Sequence, residues 1–223
     1  MITLHHLNNS RSQRILWLLE ELETDYTVTH YQRDSETQLA PEALKQIHPL
    51  GKSPLISDGD TVVAESAVII DYLINKYAPQ WKIDDASSKD AIQLNYWMHF
   101  AEGSLMPPLL LRLVFEKIKS TKMPFFIKPI AKGISDKVLG SFVTPNIKAN
   151  LKFIEDYLQA KSWFVGESLS GADIQMSFPL EACVARDIAT KSNHPNIVSF
   201  VKRLQARPAY QRALQQAGDY AYA

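Results

Sequence analysis

The first stretch of the chain changes its hydrophobic period at a single seam. Thr3 to Leu7 reads as a strand. Ile15, Leu16, Leu18, Leu19 and Leu22 then recur at helical spacing, which predicts a helix from Ser10 to about Glu23. Five polar residues, Asn8 to Ser12, lie across the handover. The β-branched and aromatic run Thr27 to Tyr31 predicts a second strand, and Pro41 to Lys45 a short helix with proline in its first turn. Pro54 to Ser57 and Thr61 to Ala64 read as short strands around the turn signal Asp58-Gly59-Asp60. "SAVIIDYLINKYA" then returns to helical spacing. This order admits a parallel βαβ unit followed by an antiparallel hairpin and a covering helix.

After Tyr77 the pattern changes. Ala78-Pro79-Gln80 breaks the helix, and a polar stretch runs to about Lys89. Beyond it only helical periodicity remains. It runs from about Ala91 to Lys119, Asn146 to Gln159, Gly171 to Ala189 and Pro195 to Leu204, and again after Pro208. Pro107-Pro108 must bend or interrupt the first of these. The expected fold class is α/β plus all-α: a βαβ-ββα domain over residues 1–78, then a helical-bundle domain over 88–223.

Composition narrows the function classes. The 223 residues are 46% hydrophobic and carry a formal net charge of zero. That gives no global electrostatic case for nucleic acid or an acidic membrane. No apolar run reaches the roughly 20 residues of a membrane span, so stable membrane insertion is not expected. The single cysteine, Cys183, removes disulfide and Cys-x-x-Cys chemistry. No basic segment leads into a long apolar core at the N-terminus. These features together predict a cytoplasmic protein.

Three segments offer chemistry. Ser10-x-x-Gln13 matches a capping box before an apolar run. It serves equally as a plain cap or, through a helix N-terminus and a hydroxyl, as a place for an anion such as a thiolate. Asn8, Asn9 and Arg11 add donors or are ordinary loop residues. Lys52-Ser53-Pro54 is either a cis turn that presents the Ser53 backbone to a ligand or a trans proline opening an edge strand. Ser66 can cap the following helix or take a ligand carboxylate, and Glu65 can accept from an ammonium. Taken together, two helix starts, an X-Pro turn and an acid at one end of a small βαβ-ββα unit suit a short zwitterionic thiol peptide.

In that order and spacing, "NNSRSQRI", "HPLGKSPLI" and "ESAVIIDYL", followed by "VGESLSGADIQMSFPL" in the helical part, resemble the cytosolic glutathione S-transferases over nearly the whole chain. No Tyr or Cys lies in the Ser10 segment, so the likeness is to serine-type members of bacterial or fungal kind. The resemblance implies a thioredoxin-like first domain, glutathione as cosubstrate without a metal, a small-molecule electrophile held by the helical domain, and a homodimer. It makes Ser10 the catalytic residue facing the glutathione sulfur, with Asn9 as a neighbour able to take that place. It sends Lys52 to the glycine carboxylate and pairs Ser53, before Pro54, with the cysteinyl part. Glu65 and Ser66 then hold the γ-glutamyl end. Ser170 and Asp173 become a structural capping pair. The alternatives are a non-catalytic binding protein on the same scaffold, or a glutathione-dependent isomerase or peroxidase.

Other features have plainer readings. Alternation along a strand predicts that one of His5 and His6 is buried and the other exposed, with no metal spacing. His99 and Glu102 share a helix face, as a surface pair or as part of an acceptor pocket. Cys183 reads as inert core. "FEKIKSTKMPFFIKPIAKGISDK" reads as a solvated face with snorkelling lysines, rather than a pocket wall or membrane-surface patch. Tyr220 and Tyr222 either fold over the pocket or fray.

Overall fold

A computed structural model of the chain describes residues 1–218 and 220–223. Strands β1 (Ile2–Leu7), β2 (Tyr26–Tyr31), β3 (Leu55–Asp58) and β4 (Thr61–Ala64) form one sheet in the order β2-β1-β3-β4. β1 pairs parallel with β2 in the register Ile2↔Tyr26 to Leu7↔Tyr31. It pairs antiparallel with β3, where Leu4 meets Ile56 and His5 meets Leu55. The β3–β4 hairpin turns at Gly59, whose φ of +61° suits a residue without Cβ. Pro41 opens a single 3₁₀ turn over Glu42–Gln46.

α1 (Ser12–Glu21) crosses from β1 to β2, and α2 (Ser66–Tyr77) follows the hairpin. Every residue from Ser12 to Leu19 is buried. The helix is wrapped on all sides by β1, α2 and two helices of the second half, α7 (Gly171–Ala185) and α9 (Pro208–Ala217). α7 is the central post of that half, with twelve of its residues buried. The hydrophobic core runs unbroken from Ile2 and Leu4 through Trp17 and Ile70 to Phe164 and Leu204. At the far end of α1, Arg207 grips Glu21 through two bonds of 2.5 and 2.8 Å, and Trp17 stacks edge-on with Tyr210.

α3 (Lys89–Phe100) and α4 (Met106–Ser120) are joined by a π-turn over Ala101–Leu105, with Pro107 and Pro108 just beyond it in the first turn of α4. A proline there lacks a donor that the helix does not need. α5 (Lys128–Val138) and α6 (Thr144–Leu158) repeat the device through a π-turn over Leu139–Val143, and α8 (Pro195–Gln205) precedes α9.

The structure corrects three expectations. His5 and His6 are both buried, because β1 is an interior strand covered on both faces. His5 bonds Tyr31 Oη at 3.2 Å and Ser57 Oγ at 2.9 Å, and burial together with His30 pushes His6 down to about 4, so it is neutral. Helix α5 lies where the periodicity was obscured by lysines and by Pro129 and Gly133. The lysine-aromatic segment leaves its apolar side chains in the open rather than under lysine stems, Phe125 most of all at 86% exposed. Cys183 is core, its thiol pushed up to about 12 by burial.

Candidate functional site

The seam after β1 is a compact hydroxyl cluster. Asn9 takes φ +48°, a left-handed turn that asparagine tolerates, and the helix begins only at Ser12. Ser10 therefore sits too early to close the expected capping box. Its Oγ accepts from the Ser12 N–H at 3.2 Å, and the Gln13 amide is buried without a partner instead of returning to Ser10. Ser12, a residue that sequence reasoning passed over, is the hub. Its Oγ meets Ser10 Oγ at 2.8 Å, His6 Nδ1 at 3.0 Å and both backbone groups of Leu7 at 3.2 Å.

The second segment arrives beside the first. The Ser53-Pro54 bond is cis. Ser53 Oγ donates to the His5 carbonyl at 3.2 Å and lies 3.5 Å from Ser10 Oγ. Lys52 is exposed at the edge of this corner.

The third segment connects through a residue hidden in the apolar stripe of α1. Glu65 is exposed with φ +68°, and Ser66 is buried at the start of α2. Ser66 does not cap its helix; its Oγ accepts from Arg14 Nη2. The Arg14 side chain has no exposed surface. Nη2 also reaches Glu102 Oε1 at 2.6 Å, and Nη1 donates to the Gln175 carbonyl at 2.6 Å. That carbonyl is available because Pro179, four residues on in α7, has no N–H to give it.

Glu102 lies in the π-turn after α3 and also takes Arg11 Nε at 2.9 and 3.0 Å. It faces the first domain rather than pairing with His99, whose Nδ1 meets the Asn95 carbonyl at 2.7 Å. Burial raises the Glu102 pKa, but Arg14 and Arg11 outweigh it and hold the carboxyl below its ordinary value. One signal for this network stood in the sequence: an arginine inside an otherwise apolar helical stripe demands a buried acid.

The C-terminal residues fold back over the same corner. The Ala221 N–H donates to Asn9 Oδ1 at 2.8 Å, Tyr220 Oη donates to Glu181 at 2.8 Å, and Arg186 Nη2 donates to Tyr222 Oη at 2.9 Å. Tyr222 packs edge-on against Phe178 at 5.6 Å, and the Arg11 guanidinium lies 5.5 Å from the same Phe178 ring. Glu181 is also held by Tyr210 Oη at 2.5 Å, and burial pushes it up to about 7. In α7 the capping box closes as expected: the Ser170 N–H donates to Asp173 Oδ2 at 2.8 Å, while Oδ1 holds the Phe164 N–H at 2.8 Å.

A small mixed sheet with its cis-proline beside a helix start, backed by a helical bundle, is the thioredoxin-like plus all-α architecture. Residues 1–75 match the glutathione S-transferase N-terminal domain, and residues 135–208 match the C-terminal domain of the same family. Glutathione S-transferase 1 of Saccharomyces cerevisiae is 34% identical over 224 residues, covering 97% of this chain and 95% of that protein. Glutathione S-transferase 3 of Schizosaccharomyces pombe is 34% identical over 219 residues, covering 98% and 89%. A solved glutathione S-transferase from Actinobacillus pleuropneumoniae superposes with a TM-score of 0.80 at 32% identity, over 99% of this chain and 94% of that one. The chain belongs to the glutathione S-transferase family. Its activity is that of a glutathione transferase, with glutathione as cosubstrate.

Proposed function

We infer that the Ser10 hydroxyl donates a hydrogen bond to the sulfur of bound glutathione and so favours the thiolate that attacks the electrophile. The observation that carries this reading is where Ser10 stands: its buried Oγ lies at the corner shared by the start of α1 and the cis Ser53-Pro54 bond. Its nearest hydroxyl partner is Ser12 Oγ at 2.8 Å. Its one other neighbour, Ser53 Oγ, is 3.5 Å away, the outer limit of a hydrogen bond. Asn9 is the rival: its Oδ1 accepts from the Ala221 N–H, and its Nδ2 is the donor it would offer the sulfur.

At the other end of the peptide, Ser66 accepts from Arg14 and keeps its own proton for a γ-glutamyl carboxylate, with the Arg14 charge behind it. Exposed Glu65 takes the ammonium, Ser53 pairs with the cysteinyl backbone, and Lys52 reaches the glycine carboxylate. The electrophile, a mainly apolar small molecule, is received beside Phe178 and Tyr222. The protein is a homodimer in the cytoplasm, as its family usually is. Exposed Leu50, Val62 and Val68 of the first domain supply one half of the contact, and exposed Ile92 and Tyr96 on α3 the other.

The test is a pH–rate profile. A free thiol of this kind titrates near 8.5. A hydrogen bond to a charged group is worth about 1.5–3 kcal/mol, and each pH unit about 1.4 kcal/mol. Ser10→Ala is therefore expected to move the profile up by about one to two units and to lower kcat near pH 7 by about tenfold or more. If Asn9→Ala moves the profile and Ser10→Ala does not, Asn9 faces the sulfur.

A further inference from the structure

We propose that the hairpin of α4 and α5 lies on the surface of an anionic lipid bilayer. On α4, Leu110, Val114 and Ile118 recur every fourth residue as an outward stripe. Ile127, at the N-cap of α5, and Ile130 and Ile134 on it do the same at helical spacing. Between the helices the loop carries Phe125 and Phe126, the latter 62% exposed, while Ile130 and Ile134 are 64% and 58% exposed. α4 and α5 pack against each other, so loop and stripes form one projection. An apolar surface of this extent is far outside what an isolated surface residue represents.

Charge selects the occupant. The whole chain is formally neutral, yet residues 110–137 hold seven lysines and arginines against two acids. Both acids, Glu116 and Asp136, are taken by Lys119. Among the described residues, Lys117, Lys122, Lys128, Lys132 and Lys137 have no acidic partner. Large apolar side chains ringed by unpaired lysines match the acyl–headgroup boundary of an anionic leaflet. A second copy of the hairpin would bring a surface of the same sign against this one, which disfavours self-association there. Among the described residues no helix is long and apolar enough to cross a membrane, so the hairpin rests on the bilayer.

The test is flotation of the full chain with vesicles of phosphatidylcholine alone or with added phosphatidylserine, at low and high salt. The protein is expected to float with the phosphatidylserine vesicles, and less so at high salt. Phe125→Ser with Phe126→Ser, and separately Lys122→Glu with Lys128→Glu, are expected to lower the bound fraction about tenfold or more. Both variants are expected to keep glutathione-dependent turnover in solution. No flotation with either vesicle, or equal flotation of wild type and both variants, overturns the proposal. So does a wild type that ignores vesicles and whose sedimentation mass falls on replacing Phe125 and Phe126, since a second copy then covers the patch.

Discussion

Replacing Glu102 by alanine removes the one carboxylate that, among the described residues, bonds Arg14. The hydrogen-bond partners that remain among the described residues are neutral: the Ser66 hydroxyl and the Gln175 carbonyl, with Nε already lacking a partner. Breaking a buried ion pair from one side costs about 3–5 kcal/mol. Glu102 itself is 31% exposed, so water can enter the vacated space, and the lower end, about 3 kcal/mol, is expected. For a chain of this size that is a fall in Tm of about 6–12 °C. Arg11→Gln is the control. It removes the other partner of Glu102, but that partner is 35% exposed, and the loss is expected to stay under about 1 kcal/mol. Urea titration with an unchanged m-value separates a loss of stability from a change in the unfolded state. The sign against pH also follows. Glu102 is held below its ordinary value in the fold, so its contribution is present above about pH 4.5 and is lost as pH falls. If Glu102→Ala costs no more than Arg11→Gln, the charge on Arg14 is neutralised elsewhere and the account of this network is wrong.

Glu65→Ala is expected to raise KM for glutathione about fivefold with kcat at saturation little changed, since Glu65 grips an end that does not react; a fall in kcat alone would contradict that role. Glu181, raised to about 7 by burial, favours the fold most below about pH 4.5 and loses that favour as pH rises toward 7. The stability of wild type relative to Glu181→Gln should thus fall by about 3 kcal/mol between pH 4.5 and 7.5, read by denaturation at both ends; a constant difference would show that burial does not shift the carboxyl. Sedimentation at micromolar concentration should give twice the chain mass, with Leu50→Asp together with Tyr96→Asp reducing it to a monomer.

Much of this architecture is legible in the sequence. Period two, then 3.6, then a Gly-centred hairpin is enough to order β1, α1, β2, β3, β4 and α2. The Ser53-Pro54 corner stands out in the sequence because an X-Pro bond can be cis, although cis and trans stay open there. What stayed hidden depends on distant partners. The Ser10-x-x-Gln13 pattern predicts a capping box, but the left-handed Asn9 turn moves the helix start to Ser12, which local pattern cannot register. Glu102 reads as a surface acid because Arg14 and Arg11 lie some ninety residues away in sequence. The burial of both histidines follows from the strand order, not from β1 itself.

The proline in α7 has a consequence for how far the two halves can be traded as modules. Pro179 leaves the Gln175 carbonyl bare within its own helix, and a guanidinium from the other half fills it. A helical half grafted onto a relative's sheet would keep the bare carbonyl unless the new α1 also carried an arginine at the matching depth. The converse graft would bury a guanidinium facing a carbonyl already claimed. Arg14, Glu102 and Pro179 must therefore travel together in any chimera, although they come from different ends of the chain.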